Sequence, residues 1–323
     1  MTRERVSVVV PVYFNEASLP RLAERLRTVA ASADYDLEAI FVDDGSGDAS
    51  WERILEITRA WPAARGLRLT RNFGSQMAIV AGLAEATGAA AAVLSADLQE
   101  PPELLPEMVA AWRRGATAVL AVRRSRPEGL ATRAAAGFYY RTLRRLAFST
   151  MPTGGFDCFL IGRPAIDFLV EAREVHTSLP GLLLWGGFPT SLVPYDRVAR
   201  EDGTSRWTLA KKLKYFFDTV IAFSYAPLRW MSFTGAALAL AAFAYALFLI
   251  GYKVVHGQPI QGWTSLMVAL AFFSGVQLAS LGILGEYLWR TLDAARARKG
   301  YLVRDRTDVP LRSPLPPPGE RAR

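Results

Sequence analysis

Asp97 and Gln99 stand two residues apart, directly after an apolar run (residues 89–94) and directly before Pro101-Pro102. A carboxylate and an amide oxygen at that spacing are hard donors of the kind Mg2+ or Mn2+ takes, with phosphate oxygens and water completing the shell. A cation held there would carry a nucleotide diphosphate and neutralise charge on a departing diphosphate. The same aspartate equally suits the cap of a helix opening near Pro101. Three more polar clusters end apolar runs: Tyr13, Asn15 and Glu16; Asp43 and Asp44; Arg71 and Asn72. Adjacent carboxylates such as Asp43 and Asp44 can accept hydrogen bonds from a base edge and from ribose hydroxyls, and Gly45 would let a ligand approach the backbone. Helix capping by Asp44 or Ser46 is the structural alternative. No Gly-x-Gly-x-x-Gly follows the first run and no Gly-Lys-Ser/Thr occurs, which disfavours a Rossmann dinucleotide site and a P-loop.

These clusters need elements to position them. Residues 7–12, 37–42, 66–70, 89–94 and 118–122 are short apolar, β-rich runs that read as buried strands. Helical patterns fill the gaps at 18–32, 50–60 and 75–87, and another helix opens at the double proline. Strands alternating with helices of this length predict an α/β, doubly wound, mostly parallel sheet. Ligands of such sheets bind beyond the carboxyl ends of the strands, where the four polar clusters fall. Beyond the fifth strand come an aromatic and arginine-rich helix at 132–148, a Gly154-Gly155 turn into another strand, and a helix at 164–173. A Gly/Pro/Trp-rich loop at 179–189 and a basic stretch at 195–207 follow.

Of the 323 residues, 51% are hydrophobic, and the excess is concentrated near the end. Residues 231–252 carry no formal charge, and neither do those between Lys253 and Glu286. Each stretch is long enough to cross a hydrocarbon core as a helix, at 231–252 and 263–285. Residues 207–230, mixing basic and aromatic side chains, read as amphipathic helices in the membrane interface, with an ordinary core helix as the alternative. The net charge of +8 gathers at 123–145, 197–214 and 290–306, beside or after the apolar spans. That placement points to an anionic membrane face and away from nucleic acid. The loop between the spans holds one lysine, so the expected arrangement is a hairpin in the inner (plasma) membrane, with residues 1–206 and a basic tail at 286–323 on the cytoplasmic side. The tail beyond Arg312 has the composition of a disordered segment. Residues 6–12 are too short for the apolar core of a signal peptide. A single cysteine, Cys158, excludes an internal disulfide, and two histidines make a His-rich zinc centre a poor fit.

Val10-Pro11-Val12-Tyr13 with Asn15-Glu16, then Asp43-Asp44-Gly45-Ser46, Arg71-Asn72-Phe73-Gly74 and Ala96-Asp97-Leu98-Gln99 with Pro101-Pro102 resemble the family 2 glycosyltransferases. The resemblance is strongest to their polyprenyl-phosphate branch, and it runs from about Val6 to Arg304, the two spans included. It implies a GT-A fold, a nucleotide diphosphate sugar donor, a polyprenyl (undecaprenyl) phosphate acceptor and transfer with inversion. On that pattern Pro11, Tyr13, Glu16, Asp43 and Asp44 contact the nucleotide, with Arg71 beside them, and Asp97 and Gln99 lie at the metal. Arg123 and Arg126 meet donor or acceptor phosphates, Asp157 matches a carboxylate near the reacting centre, and Arg200, Ser205 and Arg206 belong to a loop closing over donor and lipid phosphate. Members of the family carry Asp-Ala-Asp where this chain has Ser95-Ala96-Asp97, so the cation loses one carboxylate of its usual surroundings. Arg206 stands where lysine is common, keeping the charge and adding bidentate geometry.

A phosphate monoester has a second pKa of about 6 and is largely dianionic at pH 7, so this acceptor does not strictly need a general base. Asp157 is therefore expected either as a base or as a group that orients the sugar or stabilises oxocarbenium character, with a turn aspartate after Gly154-Gly155 as the structural alternative. Arginines are what the acceptor demands, because they place a dianion in line beside a charged donor. Two other functions compete: a processive polysaccharide synthase, disfavoured by the missing Gln-x-x-Arg-Trp, and a catalytically impaired membrane scaffold that still binds sugar nucleotides. Phe138, Tyr139 and Tyr140 would pack between subunits of a homo-oligomer as readily as within one chain.

Overall fold

The computed structural model describes residues 3–124, 155–172, 178–197, 226–256, 262–296 and 298–307, with isolated positions between 137 and 152 and between 219 and 224. Two compact units result: residues 1–216 with 299–323, and residues 217–298.

The first unit is built on an eight-stranded sheet in the order β7-β5-β6-β4-β1-β2-β3-β8. Its strands are β1 (Arg5–Val12), β2 (Asp36–Asp43), β3 (Ala64–Leu69), β4 (Ala90–Val93), β5 (Ala118–Arg123), β6 (Phe159–Gly162), β7 (Thr190–Tyr195) and β8 (Val303–Arg306). β1 is parallel to both β2 and β4, β2 to β3, and β5 to β7. β6 runs antiparallel between β4 and β5, and β8 antiparallel along β3. The five strands anticipated from apolar runs are all present.

The helices are α1 (Leu19–Ser32), α2 (Ser50–Ala60), α3 (Ser75–Glu85), α4 (Leu105–Arg113), α5 (Arg163–Glu171) and α6 (Leu179–Trp185). Val6, Val8, Val10 and Val12 of β1 join Leu22, Leu26, Ile54 and Met108 in one core beneath α1, α2 and α4. Val9 and Ile40 are equally buried but turn to the opposite face, where α3 lies against β1 and β2. A strand covered on both faces is apolar at nearly every position, which is why residues 8–12 and 39–42 read as continuous runs; the buried exceptions, Ser7 and Glu38, are hydrogen-bonded to each other at 2.6 Å. This is the doubly wound, mostly parallel GT-A arrangement. The chain winds β1-β2-β3 to one side and returns to place β4 on the other side of β1, so the switch point lies between β1 and β4.

Two stretches differ from the sequence reading. Residues 179–185 form helix α6, with Ser178 capping it through Gly181 N at 3.2 Å. Their glycine and proline content suggested a loop, yet Pro180 sits in the first turn, where its missing N–H costs nothing. Residues 303–306, counted with the tail, extend the sheet as β8. Thr307 Oγ1 accepts from Gly66 N at 2.8 Å, and Arg306 pairs with Glu85 at 2.7 Å.

The second unit contains α7 (Ala226–His256) and α8 (Trp263–Arg296). Residues Leu228–Tyr252 and Ser265–Arg296 are long and apolar enough to cross a membrane, with mean hydropathy of 2.1 and 2.0. The expected interfacial helices at 207–230 and the aromatics Phe138, Tyr139 and Tyr140 lie largely or wholly outside the described residues.

Candidate active site

The carboxyl ends of β1, β2 and β3 are tied to one another by their polar residues. Asp43, at the last position of β2, is wholly buried; its Oδ1 accepts from Ser46 N at 2.9 Å and its Oδ2 lies 3.3 Å from Arg68 Nε. Burial pushes its carboxyl above the ordinary range, against the pull of Ser46 and Arg68. Asp44 takes up both of its oxygens on the neighbouring loop: Phe73 N donates to Oδ1 at 2.7 Å and Gly74 N to Oδ2 at 2.9 Å. Desolvation outweighs those two bonds and pushes Asp44 up to about 6. Gly45 has φ +69°, and a side-chain carbon added there would meet the Arg71 backbone at 2.7 Å. The Arg71-Asn72 backbone makes the close approach that this glycine permits in the direction of a side chain. Neither Asp44 nor Ser46 caps α2: Ser46 Oγ accepts from Phe14 N at 3.0 Å, and α2 starts after Ala49.

Tyr13, Phe14 and Glu16 extend from β1 over this framework. Phe14 takes a left-handed conformation, φ 57°, and stacks edge-on with the exposed Tyr13 ring at 4.7 Å. Glu16 Oε2 accepts from Ala49 N at 2.8 Å, and Asn15 N donates to Ser50 Oγ at 2.9 Å. Pro11 lies within β1, half-buried. Arg71 is exposed and places its guanidinium 4.0 Å over the Phe73 ring. Exposed aromatic rings and a guanidinium beside fixed loop backbones offer faces on which a planar group can stack.

Beyond β4 the chain makes a tight reversal. Asp97 Oδ1 accepts from Gln99 N at 3.2 Å and from Ser95 Oγ at 2.9 Å, and Leu98 between them has φ 59°. A leucine in the left-handed region costs roughly 1–3 kcal/mol, the kind of local strain that tertiary contacts must hold in place. No side chain caps the turn that opens at Pro102 or the helix after it, so Asp97 is not a helix cap. Glu100 follows, 2% exposed, hydrogen-bonded to Ser95 Oγ and accepting from Tyr195 Oη at 3.4 Å. Burial, then the charges of Asp157 and Asp97, push its carboxyl up to about 7.

The other wall comes from β5 and β7. Register pairs Arg123 with Tyr195, the last residues of their strands, and Arg123 Nε lies 3.4 Å from Tyr195 Oη. Arg123 also bonds Asp157 through Nη2. Burial opposes the Arg123 charge, but Asp157 and Tyr195 more than offset it and raise the guanidinium pKa. Arg197, two residues past β7, donates from Nη2 to Gln99 Oε1. Asp97, Gln99, Arg123 and Asp157 are thus brought to one edge of the sheet. Arg126, Arg200, Ser205 and Arg206 lie outside the described residues. Glu100, Tyr195 and Arg197 are additions from the structure. Glu100 immediately follows the Asp97-Leu98-Gln99 turn and was legible there, whereas Tyr195 and Arg197 required the strand β7.

The donor chemistry fits a divalent cation: Asp97 and Gln99 offer hard oxygens from one turn. Among the described residues no three Asp, Glu, His or Cys side chains form a metal cluster. Such a site leaves most of the coordination to donor phosphates and water, as Mg2+ sites commonly do.

A mostly parallel sheet with carboxylates and arginines gathered beyond its strand ends is the architecture of an α/β protein that binds its ligand at the switch point. The Glycosyl transferase family 2 model matches residues 7–169, and the chain belongs to that family. Over nearly full length it is 36% identical to "Uncharacterized glycosyltransferase YkcC" of Bacillus subtilis, covering 92% of each chain. It is 32% identical to the bactoprenol glucosyl transferase of Shigella phage SfX, covering 94% of this chain and 99% of the phage protein. Among solved structures, a mannosyltransferase from Pyrobaculum calidifontis aligns with TM-score 0.43 at 19% identity, over 87% of this chain and 88% of that one.

Proposed function

We propose that this protein transfers a sugar from a nucleotide diphosphate donor to the phosphate of a polyprenyl lipid, with inversion at the anomeric carbon. The observation that carries the reading is the convergence of Asp97, Gln99, Arg123, Asp157 and Arg197 at the switch-point edge of the sheet. The full-length likeness to a bactoprenol glucosyl transferase, apolar helices included, supports the lipid acceptor.

Asp97 and Gln99 would hold Mg2+ or Mn2+, which when bound offsets charge on the leaving diphosphate. Pro11, Tyr13, Glu16, Asp43 and Asp44 would contact the nucleotide, with Arg71 beside them, and the hydrogen bonds of Glu16, Asp43 and Asp44 also hold the loops that shape the surface. Arg123 supplies a guanidinium for a phosphate oxygen, with Tyr195 fixing its direction. The incoming phosphate is already dianionic, so no residue must take its proton. Asp157, engaged by Arg123, then serves to orient the sugar and to stabilise positive charge at the anomeric carbon. Arg126, Arg200, Ser205 and Arg206 complete the phosphate-binding set in this reading.

The chain leaves the sheet before α7 and returns to it as β8 after α8. Two crossings bring a chain back to the side it left, which supports a hairpin with the catalytic unit and the β8 segment on one membrane face. The basic flanks of the helices favour the cytoplasmic one. A polyprenyl phosphate keeps its headgroup at that interface, and the apolar helices would hold the chain to the membrane that carries this acceptor.

The test is incubation of the purified protein with undecaprenyl phosphate and a panel of nucleotide sugars, with and without Mn2+ or Mg2+. Mass spectrometry is expected to detect a glycosyl phospholipid that forms only with metal and one class of donor. Free-sugar release without lipid product would replace this reading with donor hydrolysis.

A further inference from the structure

The Ser95 hydroxyl lies between two carboxylates, Asp97 Oδ1 at 2.9 Å and that of Glu100. The reversal at Leu98 brings Glu100 back beneath the strand end, where it is 2% exposed. Its oxygens are engaged inside the protein, one by Ser95 and the other by Tyr195 Oη at 3.4 Å. A buried carboxylate is costly in isolation, and the cationic groups acting on this one, Arg197 and Arg123, are both at the site's edge. Ser95 itself is neutral and a weak ligand, so the turn at Asp97 has only one carboxylate facing outward.

We propose that Glu100 supplies from beneath the carboxylate that position 95 lacks. Sharing the Ser95 hydroxyl, whose one proton serves either carboxylate in turn, it keeps that hydroxyl beside the Asp97 side chain and places a second carboxyl group behind a divalent cation held there. Glu100 is thus a positioning residue, and the proposal rests on the metal reading of Asp97. Groups that hydrogen-bond a metal ligand from behind hold it in the binding orientation, and their loss typically lowers metal affinity by about 10–100-fold. The arrangement also gives Ser95 a role that a lone hydroxyl ligand would not have: it is the connection between the two carboxylates.

The experiment measures Mn2+ binding to the full-length, detergent-solubilised protein by the electron paramagnetic resonance signal of free Mn2+, with melting curves recorded in parallel. Glu100→Gln is expected to bind Mn2+ about 10–100-fold more weakly than the parent chain. Adding Ser95→Asp in that background is expected to restore most of the loss, because it returns a carboxylate to the same place. Ser95→Ala, which removes the connection and leaves Glu100, carries the same expected weakening should Glu100→Gln fail to fold. Parent-like affinity in Glu100→Gln, or no recovery with Ser95→Asp, overturns the role of Glu100. Parent-like affinity in Asp97→Asn, or no saturable binding by the parent, overturns the metal reading itself and this role with it.

Discussion

Arg123 and Tyr195 end neighbouring parallel strands in register, and the phenol oxygen lies 3.4 Å from both Arg123 Nε and Glu100 Oε1. One hydroxyl therefore stands between the arginine proposed to meet a phosphate and the carboxylate beneath the turn proposed to hold the metal. Tyr195→Phe removes that hydroxyl and nothing else. Both contacts are long, so the expected loss is about 1 kcal/mol or less, up to roughly fivefold in kcat/KM for sugar transfer. A hundredfold loss without a change in melting would show that the hydroxyl touches substrate directly.

Arg123 and Asp157 act as a pair with different consequences on removal. Arg123→Ala should cost about 1.5–3 kcal/mol of transition-state stabilisation, roughly 10–100-fold in kcat/KM, if its guanidinium meets a phosphate. Asp157→Asn should lower the rate while leaving the shape of the pH–rate profile above pH 7 unchanged, since the acceptor is already ionised. A new dependence on hydroxide concentration in that variant would restore the general-base role.

Asp97→Asn keeps the side-chain volume and removes the charge. Transfer activity should be lost while the melting temperature stays near that of the parent, because Asp97 caps no helix and asparagine keeps an oxygen to accept from Gln99 N and Ser95 Oγ. Near-normal turnover in the presence of Mn2+ would contradict its role at the metal.

Asp44 links stability to pH. Its carboxyl is pushed up to about 6 in the folded chain from an ordinary 3.8, so between those values the folded state binds more protons than the unfolded state. Stability contributed by Asp44 is then fully present below about pH 4 and declines as pH rises through about 6, by up to about 3 kcal/mol. The difference in melting temperature between the parent and Asp44→Asn should shrink across that window. A difference that grew with pH would reverse the sign and show that the Phe73 and Gly74 amides outweigh burial.

Gly66 tests the β8 clasp. A methyl group there would meet Ile54 Cγ2 at 2.5 Å and Thr307 Cγ2 at 2.9 Å. Gly66→Ala should destabilise the catalytic unit by about 1–3 kcal/mol in denaturant titration. Thr307→Ala, which deletes the acceptor of Gly66 N, should cost about 1 kcal/mol. A neutral result for both would mean that β8 is not held against β3 in solution.

Much was legible in residue order alone. Largely apolar runs at 7–12 and 37–42 announce strands covered on both faces, and the polar residues that end them announce a candidate ligand edge. Charge-free stretches of membrane length announce α7 and α8, since local composition suffices for that reading. What required tertiary structure is every relationship between residues distant in sequence. The pairing of β5 with β7 aligns Arg123 with Tyr195, and the reversal at Leu98 slides Glu100 beneath Ser95. Asp43 and Asp44 show their charge in the sequence, but not that their carboxylates also tie loops together, one through Ser46 and the other through Phe73 and Gly74. The sequence by itself determined which residue types reach the edge of the sheet. Only the packing of loops from separate strands decided which of them are engaged within the protein, because hydrogen-bond partners depend on distances that a linear order does not contain.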